Sequence, residues 1–339
     1  MTTPAFSIVV PTYNRAHIVG GAIRSVQAQT MTDWELIVVD DDSTDETRAL
    51  LQKFAREDAR IKAVANAGHI GPAGARNTGI RASQAEAIAF LDSDDTWEPR
   101  RLETFLNARR RDPQAVLIGS DYRMVDETSG SASTMKSFVF GTMMPWWENY
   151  PLAAAVLPLD LMRRDIHVIT RPSILLSMTI AGFLWIQTSS VVVRRDAVFA
   201  AGLFNERLMR TEDIDLWLKL ARLGCVVYLD EVLATYDISG RTNAAGIRYQ
   251  SYHRSRRHTE YGEALYHLRS LKRIAKTNPL DADQCRLLKD RRIAQHRGCA
   301  VIALRERRIQ GLAHLLVCLT SKDQRERLLK RPDAFFRLP

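Results

Sequence analysis

The sequence predicts an α/β fold, in which a mostly parallel sheet is sandwiched by helices and followed by a basic α-helical C-terminal extension. Three observations predict this fold. Over the first 240 residues, short apolar runs alternate with segments of helical periodicity. The apolar runs are almost continuous, which is typical of parallel strands that are covered on both faces. The remaining residues show helical spacing only, and they carry the whole net positive charge of the chain.

Five strands separated by helices are predicted in the first 120 residues. The strands are the apolar runs 6–10, 34–39, 61–65, 87–91 and 115–119. Ser43 and Glu46 have the spacing of a capping box, which predicts that they open the helix after the second strand. A short helix is predicted at 75–82, and Pro99 predicts the first turn of another.

The alternation of strands and helices returns in the second half of this region. The predicted elements are a strand ending at Val193, a short helix from Arg195, an amphipathic helix at 212–223 and a strand at 225–229. One apolar segment, 174–193, approaches the length of a membrane span, but Gly182 splits it and the polar residues 187–190 interrupt it. We therefore expect a buried helix followed by a buried strand.

Charge divides the chain unevenly. Residues 1–240 contain 25 Lys and Arg against 30 Asp and Glu, whereas residues 241–339 contain 23 against 9. We predict one domain at 1–240, with halves at 1–120 and 121–240, and a basic extension at 241–339. The extension calls for an anionic partner, and three alternatives stay open: an anionic membrane surface, the acidic first domain, or a second copy of the chain.

The cysteines and the N-terminus indicate a reducing compartment. The four cysteines lie far apart without a CxxC pair, which argues against a disulfide framework and a zinc site. Residues 1–5 carry no basic side chain, and the apolar run that follows ends at Pro11, so no export signal is expected. A cytoplasmic location is predicted, with peripheral contact at the inner face of the membrane as an extension of it.

Polar clusters follow three of the predicted strands, at 11–14, 40–42 and 92–95. Ligands of parallel sheets bind beyond the carboxyl ends of the strands, which is where all three clusters fall. For the aspartates at 40–42 two interpretations stay open: a solvated loop with a helix cap, or Asp41 facing the imide N–H of a nucleobase.

The cluster Asp92-Ser93-Asp94-Asp95 predicts a metal–diphosphate site. Its alternating carboxylates place two oxygen donors on the same side of the chain. Mg²⁺ and Mn²⁺ prefer one or two carboxylates together with phosphate oxygens and water. A calcium loop is the alternative, but the glycine and distant glutamate of an EF-hand are missing.

Two common nucleotide sites are excluded by the sequence. No GxGxxG follows the first strand, which excludes the dinucleotide fingerprint, and no GxxxxGK[ST] is present, which excludes a P-loop. A nucleotide bound at this sheet edge must therefore be held by other means, and a metal that bridges its two phosphates is the obvious substitute.

Five motifs occur in the order FSIVVPTYNR, WELIVVDDDSTDET, GPAGARNTGI, AIAFLDSDDTWEP and TEDIDLWLKL. Together they resemble the family 2 glycosyltransferases with the GT-A fold, over about residues 6–236. The resemblance implies an inverting hexosyltransferase that moves a sugar from a nucleotide-diphosphate donor, by family tendency a UDP-sugar, to an acceptor hydroxyl. It also implies a role in cell-surface polysaccharide or glycoconjugate assembly, with a saccharide or lipid-linked saccharide as acceptor.

The resemblance also implies roles for residues of the donor half. Pro11, Tyr13 and Asn14 would frame the base and ribose pocket. Asp41 would bond a uracil-like ring, and Arg76 would lie against the base or the phosphates of the donor.

The remaining implied roles concern the metal and the acceptor. Asp92 would contact the ribose, with Ser93 in the same donor site. Asp94 would be the ligand of Mn²⁺ or Mg²⁺, and Asp95 is left as an additional acid. Asp213 would be the catalytic base.

Glu212 is assigned beside that base to the acceptor site. The alternative for both acids is that they only stabilise a helix N-terminus. Trp146, Trp147 and Trp185 are candidates for stacking on an acceptor sugar, although core packing is the usual role of tryptophan. The QxxRW motif of processive polysaccharide synthases is absent, which favours single addition.

Two other functions are weighed against this one. A nucleotidyltransferase on a related sheet would require a glycine-rich loop after the first strand, and PTYNRAH contains no glycine. A nucleic-acid-binding protein is suggested by the pI of about 9.6 and the arginine-rich last third. That region has little interleaved aromatic pattern, and such a module would not need the strand-end acids, so no nucleic-acid partner is predicted.

Overall fold

The structure is a computed structural model that describes most of the chain. The described residues are 3–126, 129–135, 166–169, 186–208, 211–238, 260–277, 279–305, 314 and 317. They belong to two compact units, the first holding the described residues up to 238 and the second those from 260 onward. The division into domains at residue 240 stays a prediction.

Strands and helices alternate along the described residues. The strands are β1 (Phe6–Thr12), β2 (Trp34–Asp40), β3 (Ile61–Ala65), β4 (Ala87–Phe90), β5 (Thr96–Trp97), β6 (Ala115–Asp126), β7 (Ser131–Thr134), β8 (Ile166–Ile169), β9 (Val191–Arg194) and β10 (Cys225–Asp237). The helices are α1 (Val19–Gln27), α2 (Thr47–Glu57), α3 (Pro72–Ala82), α4 (Arg101–Arg111), α5 (Arg195–Ala200), α6 (Glu212–Leu220), α7 (Glu260–Thr277) and α8 (Ala282–Arg305).

One sheet organises the first unit. Its strand order is β3-β2-β1-β4-β9-β6-β10-β5, with β7 paired to β6 and β8 paired to β10. The four strands β1 to β4 run parallel where they pair, as the sequence predicts. Strand β9 lies between β4 and β6 and runs antiparallel to both. The α/β class is therefore confirmed, and the antiparallel strands belong to the second half of the sheet.

Almost continuously apolar strands form the centre of this sheet. Every residue of β1 and β2 is buried, which agrees with strands that are covered on both faces. Helix α3 packs against these two strands, and Gly79 permits the close approach. A Cβ atom at Gly79 would lie 2.3 Å from Cγ1 of Val9, far inside van der Waals contact.

Strand lengths differ from the prediction where polar residues continue a strand. The run 61–65 is predicted with its observed bounds, but β6 and β10 extend well beyond the apolar runs 115–119 and 225–229. Both strands continue because they pair with each other in parallel, through register shifts, as far as Asp237. Backbone hydrogen bonds between the two strands stabilise these polar extensions. Such pairing cannot be predicted from the apolar periodicity of the sequence.

The predicted capping box of α2 is wrong. The helix begins at Thr47, and its N-cap residue Glu46 makes no side-chain capping bond. The hydroxyl of Ser43 instead accepts a hydrogen bond from the backbone N–H of Asn14 at 2.9 Å. Asp45 caps the helix start instead, because its Oδ1 accepts a hydrogen bond from the N–H of Thr47 at 3.0 Å.

The segment around 174–193 is described only from residue 186 onward, so the helix predicted in its first part lies outside the described residues. Its polar residues Thr188–Ser190 form a short 3₁₀ turn, and β9 follows directly. Among the described helices, none combines the length and the apolar character needed to cross a membrane.

The second unit contains α7 and α8, which pack on each other. Leu271 and Ile274 are buried on α7, while Arg269, Lys272 and Lys276 are exposed on the same helix. The start of α8 is a reciprocal cap, in which the side chains of residues 281 and 284 each accept a hydrogen bond from the other residue's N–H. A contact between this basic region and an anionic membrane surface or a second copy stays a prediction.

Candidate active site

The carboxyl ends of β2, β1 and β4 lie side by side and bring the three polar clusters to one edge of the sheet. The N–H of Asp41, after β2, donates to the carbonyl of Thr12 at the end of β1 at 2.8 Å. The N–H of Leu91, after β4, donates to the carbonyl of Val9 at 3.1 Å. The strand order thus brings together clusters whose residues lie up to 84 positions apart, from residue 11 to residue 95.

The loops after β1 and β2 are tied together by Asn14. Its Oδ1 accepts from the N–H of Thr44 at 2.7 Å. Asn14 and Asp42 both have positive φ, 51° and 66°, in a region that asparagine and aspartate tolerate better than other non-glycine residues. Pro11 is buried in β1, and Tyr13 is partly buried beyond it. Their contacts with a donor stay predictions.

Asp41 is almost completely buried and holds the loop that leads into α3. Its Oδ2 accepts from the N–H of Gly71 at 2.8 Å, and its Oδ1 accepts from Nδ2 of Asn66 at 2.5 Å. Asn66 in turn accepts a hydrogen bond from the hydroxyl of Thr78 on α3. The contact between Asp41 and a base N–H stays a prediction.

Two glycines allow this loop to fold against α3. Gly71 has a φ of 131°, a conformation that L-residues with a side chain rarely adopt. A Cβ atom at Gly74 would lie 1.9 Å from the carbonyl oxygen of His69, so no side chain fits there. The loop carbonyl therefore sits directly on the first turn of α3, two residues before Arg76.

Arg76 joins two acids that come from different parts of the chain. Its Nη2 lies 2.7 Å from Oδ1 of Asp92, and its Nη1 lies 2.8 Å from Oε1 of Glu212. The residue is only 4% exposed, and its guanidinium lies over the ring of Phe204. Burial alone would lower the pKa of Arg76, but the carboxylates of Asp92 and Glu212 raise it above the usual value. Arg76 is therefore a fixed cation that connects the end of β4 to the start of α6.

Helix α6 starts with three acids and a strained residue. Glu212, Asp213 and Asp215 lie in its first turn, where the helix dipole favours negative charge. Thr211, directly before them, has a φ of 57°. Positive φ is unusual for a β-branched residue, and such strain often accompanies functional sites.

Asp213 has the electrostatics of a group that exchanges protons near neutral pH. Burial, and then the neighbouring Glu212, raise the pKa of Asp213 to about 7, while the N–H of Ile214 and the guanidinium of Arg76 act in the opposite direction. Its Oδ1 accepts from the N–H of Ile214 at 2.7 Å, and its Oδ2 accepts from the hydroxyl of Thr188 at 3.4 Å. A general base works best with a pKa close to the working pH.

Asp94 lies in the tight turn after β4 and is partly exposed. The turn is closed by a hydrogen bond from the N–H of Asp95 to the carbonyl of Asp92 at 3.1 Å. The side chain of Asp94 is 16% exposed, and its Oδ2 lies 3.6 Å from Nη2 of Arg15, which is a loose ion pair. Asp92 makes a closer ion pair, with Nη2 of Arg76 at 2.7 Å.

This arrangement fits a divalent ion whose coordination is completed by the substrate. Within the described part of the chain, no group of three or more His, Cys, Asp or Glu side chains is arranged to hold a metal ion. Mg²⁺ in nucleotide enzymes is usually bound by one or two carboxylates and by substrate phosphates, and not by an all-protein cage. The partly exposed carboxylate of Asp94 suits such an ion, and its role as a ligand stays a prediction.

Sequence reasoning missed the residues at 187–189. The hydroxyl of Ser189 donates to Oδ2 of Asp95 at 2.5 Å, and Nε2 of Gln187 donates to the same oxygen at 3.1 Å. Thr188 contacts Asp213, as described above. The available signal was the polar run that interrupts an apolar segment directly before a strand. Trp146, Trp147 and Trp185, the predicted acceptor-stacking residues, lie outside the described residues.

Comparison with known sequences finds a family match and curated relatives for the first part of the chain. Residues 7–168 match the family model described as Glycosyl transferase family 2. A UDP-Glc:alpha-D-GlcNAc-diphosphoundecaprenol beta-1,3-glucosyltransferase from Escherichia coli is 40% identical over 123 residues, which are 36% of this chain and 47% of that protein. A GalNAc(5)-diNAcBac-PP-undecaprenol beta-1,3-glucosyltransferase from Campylobacter jejuni is 38% identical over 30% of this chain and 34% of its own length. The matched region thus spans less than half of these relatives.

Comparison with solved structures supports the fold over a longer stretch. S. aureus TarS 1-349 in complex with UDP-GlcNAc matches with a TM-score of 0.55 and 19% identity, over 86% of this chain and 72% of that chain. Mannosyltransferase PcManGT from Pyrobaculum calidifontis, in complex with GDP-Man and Mn²⁺, matches with a TM-score of 0.55 and 16% identity, over 99% of this chain and 86% of that chain. At these identities the likeness shows the fold, which is that of the GT-A glycosyltransferases.

Proposed function

Because residues 7–168 are a glycosyl transferase family 2 domain, we propose that this protein transfers a hexosyl group from a UDP-sugar to an acceptor hydroxyl, with inversion at the anomeric carbon. The observation that carries the proposal is the pair of ion pairs made by buried Arg76. They connect the acidic turn that would hold the donor's metal to the helix start that would supply the base. Donor and acceptor chemistry would then meet at one edge of the sheet.

Relatives support the choice of substrates. The names of the E. coli and C. jejuni relatives specify diphosphoundecaprenol-linked and PP-undecaprenol-linked sugars, and the first names UDP-Glc as donor. We extend these features to the present chain as a lipid-linked saccharide acceptor and a uridine donor. Action in bacterial polysaccharide assembly follows from such an acceptor, and a cytoplasmic location stays a prediction.

In the proposed reaction, the acceptor oxygen attacks the anomeric carbon as the bond to the diphosphate breaks. Asp213 takes the proton from the attacking hydroxyl, and Asp41 and the loop it holds bind the nucleobase. A divalent ion held by Asp94 and the donor phosphates would stabilise the negative charge that develops on the departing diphosphate. Arg76 keeps a positive charge beside Glu212, which limits the repulsion between Glu212 and Asp213.

The pKa of Asp213 predicts how the rate depends on pH. The base acts in its deprotonated form, and its pKa is raised to about 7, so kcat/KM should rise as the pH increases through neutrality. An aspartate with an ordinary pKa would be deprotonated over this whole range and would give no such rise. The measurement is kcat/KM at saturating Mn²⁺ between about pH 5 and pH 9. A flat profile over this range would contradict the assignment of Asp213.

The donor site is tested by calorimetric titration of the protein with UDP. We expect binding with Mn²⁺ that weakens strongly in chelator, because the diphosphate needs the ion to approach the acids. Asp94→Ala should remove this metal dependence. Asp196→Ala is the control and should bind like the unsubstituted protein, because it removes an exposed aspartate of α5 that pairs with Arg194 at the end of β9.

The two outcomes of this titration have different meanings. Metal-dependent binding that is lost only in Asp94→Ala leaves the sugar and the acceptor to be identified by screening. If neither UDP nor GDP binds with or without Mn²⁺, the proposed transferase function is wrong.

A further inference from the structure

Ser189 lies at the centre of the acidic turn although it comes from a distant part of the chain. The residue is 1% exposed, and its hydroxyl makes two hydrogen bonds. It accepts from the N–H of Asp92 at 2.9 Å and donates to Oδ2 of Asp95 at 2.5 Å. One hydroxyl group therefore holds both the first and the last residue of the turn that carries Asp94.

The backbone of Ser189 is held equally firmly. Its carbonyl accepts from the indole N–H of Trp97 at 2.8 Å, and its N–H donates to Oε1 of Gln187 at 2.6 Å. Trp97 belongs to β5, which follows the turn directly. Ser189 is therefore hydrogen-bonded to the turn and also to the strand that comes after it. A hydroxyl fixed in this way can impose a position on the groups that it bonds.

Asp95 is an anchor of the turn and not a free carboxylate. Besides Ser189, it accepts hydrogen bonds from Nε2 of Gln187 at 3.1 Å and from the N–H of Asp237 at 3.2 Å. The residue is 1% exposed, whereas Asp94 beside it reaches the surface. Both ends of the turn are thus hydrogen-bonded to Ser189, and Asp95 at the second end is buried. The partly exposed carboxylate of Asp94 lies between these two fixed ends.

The same segment also contacts the candidate base. Thr188 directs its hydroxyl to Oδ2 of Asp213 at 3.4 Å. Thr188 therefore contacts the candidate base, and Ser189, the next residue, contacts the acidic turn. This short polar turn is a second connection between the two halves of the site, independent of Arg76.

We infer that Ser189 is a positioning residue that fixes the Asp92–Asp95 turn, so that Asp94 can hold the divalent ion of the donor complex. The inference rests on the proposed function, because it concerns the ion that the UDP-sugar would bring. Partners that orient metal ligands typically contribute roughly 10–100-fold to metal affinity. Loss of the hydroxyl would leave the N–H of Asp92 without this acceptor and would release one anchor of Asp95.

The test compares Ser189→Ala with Ser190→Ala by calorimetric titration with UDP, in Mn²⁺ and in chelator. Ser190 is a matched control, since it is also fully buried and donates its hydroxyl to the carbonyl of Gln187 at 2.8 Å. We expect Ser189→Ala to weaken Mn²⁺-dependent UDP binding roughly 10–100-fold, while binding in chelator stays unchanged. Ser190→Ala should keep the Mn²⁺ dependence, even if both variants lose similar thermal stability.

A second variant covers the case in which Ser189→Ala does not fold. Gln187→Met removes the amide that donates to the same oxygen of Asp95, and it should weaken Mn²⁺-dependent binding in the same direction. Unchanged Mn²⁺-dependent affinity in the folded variant, or an equal loss in Ser190→Ala, overturns the inference and leaves the proposed function standing. If the unsubstituted protein itself shows no metal-dependent UDP binding, this inference is wrong, and the titrations with UDP and GDP described above decide the proposed function separately.

Discussion

Replacing Asp213 by asparagine is expected to lower kcat by roughly 10²–10⁴-fold, the usual contribution of a general base. Asparagine has nearly the same shape, and its Oδ1 can still accept from the N–H of Ile214. It cannot take a proton from the acceptor. Donor affinity should therefore stay close to that of the unsubstituted protein, and the check is to measure kcat with a UDP-sugar and UDP affinity by calorimetry on the same preparations.

Asp215→Asn is the matched control for this prediction. Asp215 lies two residues further along α6, and its Oδ2 is 2.8 Å from Nζ of Lys219, so it belongs to an ion pair along the helix. Its replacement should leave kcat nearly unchanged. Loss of donor affinity as large as the loss of turnover in Asp213→Asn, or equal losses in both variants, would show that Asp213 is not the base.

Replacing Arg76 by methionine is expected to cost about 3–5 kcal/mol in the free energy of unfolding, as is typical when one partner of a buried ion pair is removed. Asp92 and Glu212 would both lose the cation that now lies within 2.8 Å of each. Arg48→Met is the control, because Arg48 makes a comparable 3.0 Å pair with Asp40 but is 57% exposed. Asp40 in that pair is buried, but the guanidinium of Arg48 is largely solvated, so the loss of Arg48 should cost clearly less than the loss of Arg76. Chemical denaturation of the three proteins measures the difference.

The same substitution should also move the pH profile. The guanidinium of Arg76 lowers the pKa of Asp213, so its removal should raise that pKa further. The rising limb of kcat/KM should then shift to higher pH, and the activity at neutral pH should fall. Similar losses of stability in Arg76→Met and Arg48→Met, or an unshifted limb in a folded Arg76→Met protein, would contradict the bridging role.

Local patterns were sufficient for the central strands and for the acids at their ends. The runs that became β1 to β4 are almost continuously apolar, and Asp41, Asp92 and Asp94 follow two of them within a few residues. The signal for each strand and its terminal acids lies within about ten neighbouring residues, which is the reach of periodicity arguments. The order of the parallel strands then placed the acids together without further information.

Pairing between distant residues could not be predicted in the same way. Arg76 meets Glu212 across 136 positions, and Ser189 meets Asp92 across 97. The polar run at 187–190 and the GARN segment around Arg76 are visible in the sequence, but neither pattern identifies the distant residue that it contacts. Ser43 shows the opposite case, in which a local pattern was present but the predicted contact was wrong. Its spacing to Glu46 is that of a capping box, yet its hydroxyl accepts from the N–H of Asn14 in the neighbouring loop.

The hydrogen bond from the N–H of Asp237 to Asp95 sets a limit on how the chain can be shortened. Asp237 is the last residue of β10, and the N–H of Ile238 after it donates to the carbonyl of Val125 on β6 at 2.8 Å. A truncated form that stops before Asp237 would keep every acid of the site yet remove a peptide group that steadies the turn. We therefore expect a minimal donor-binding fragment to need the chain at least through Ile238, because the N–H groups of Asp237 and Ile238 are both bonded to the first unit.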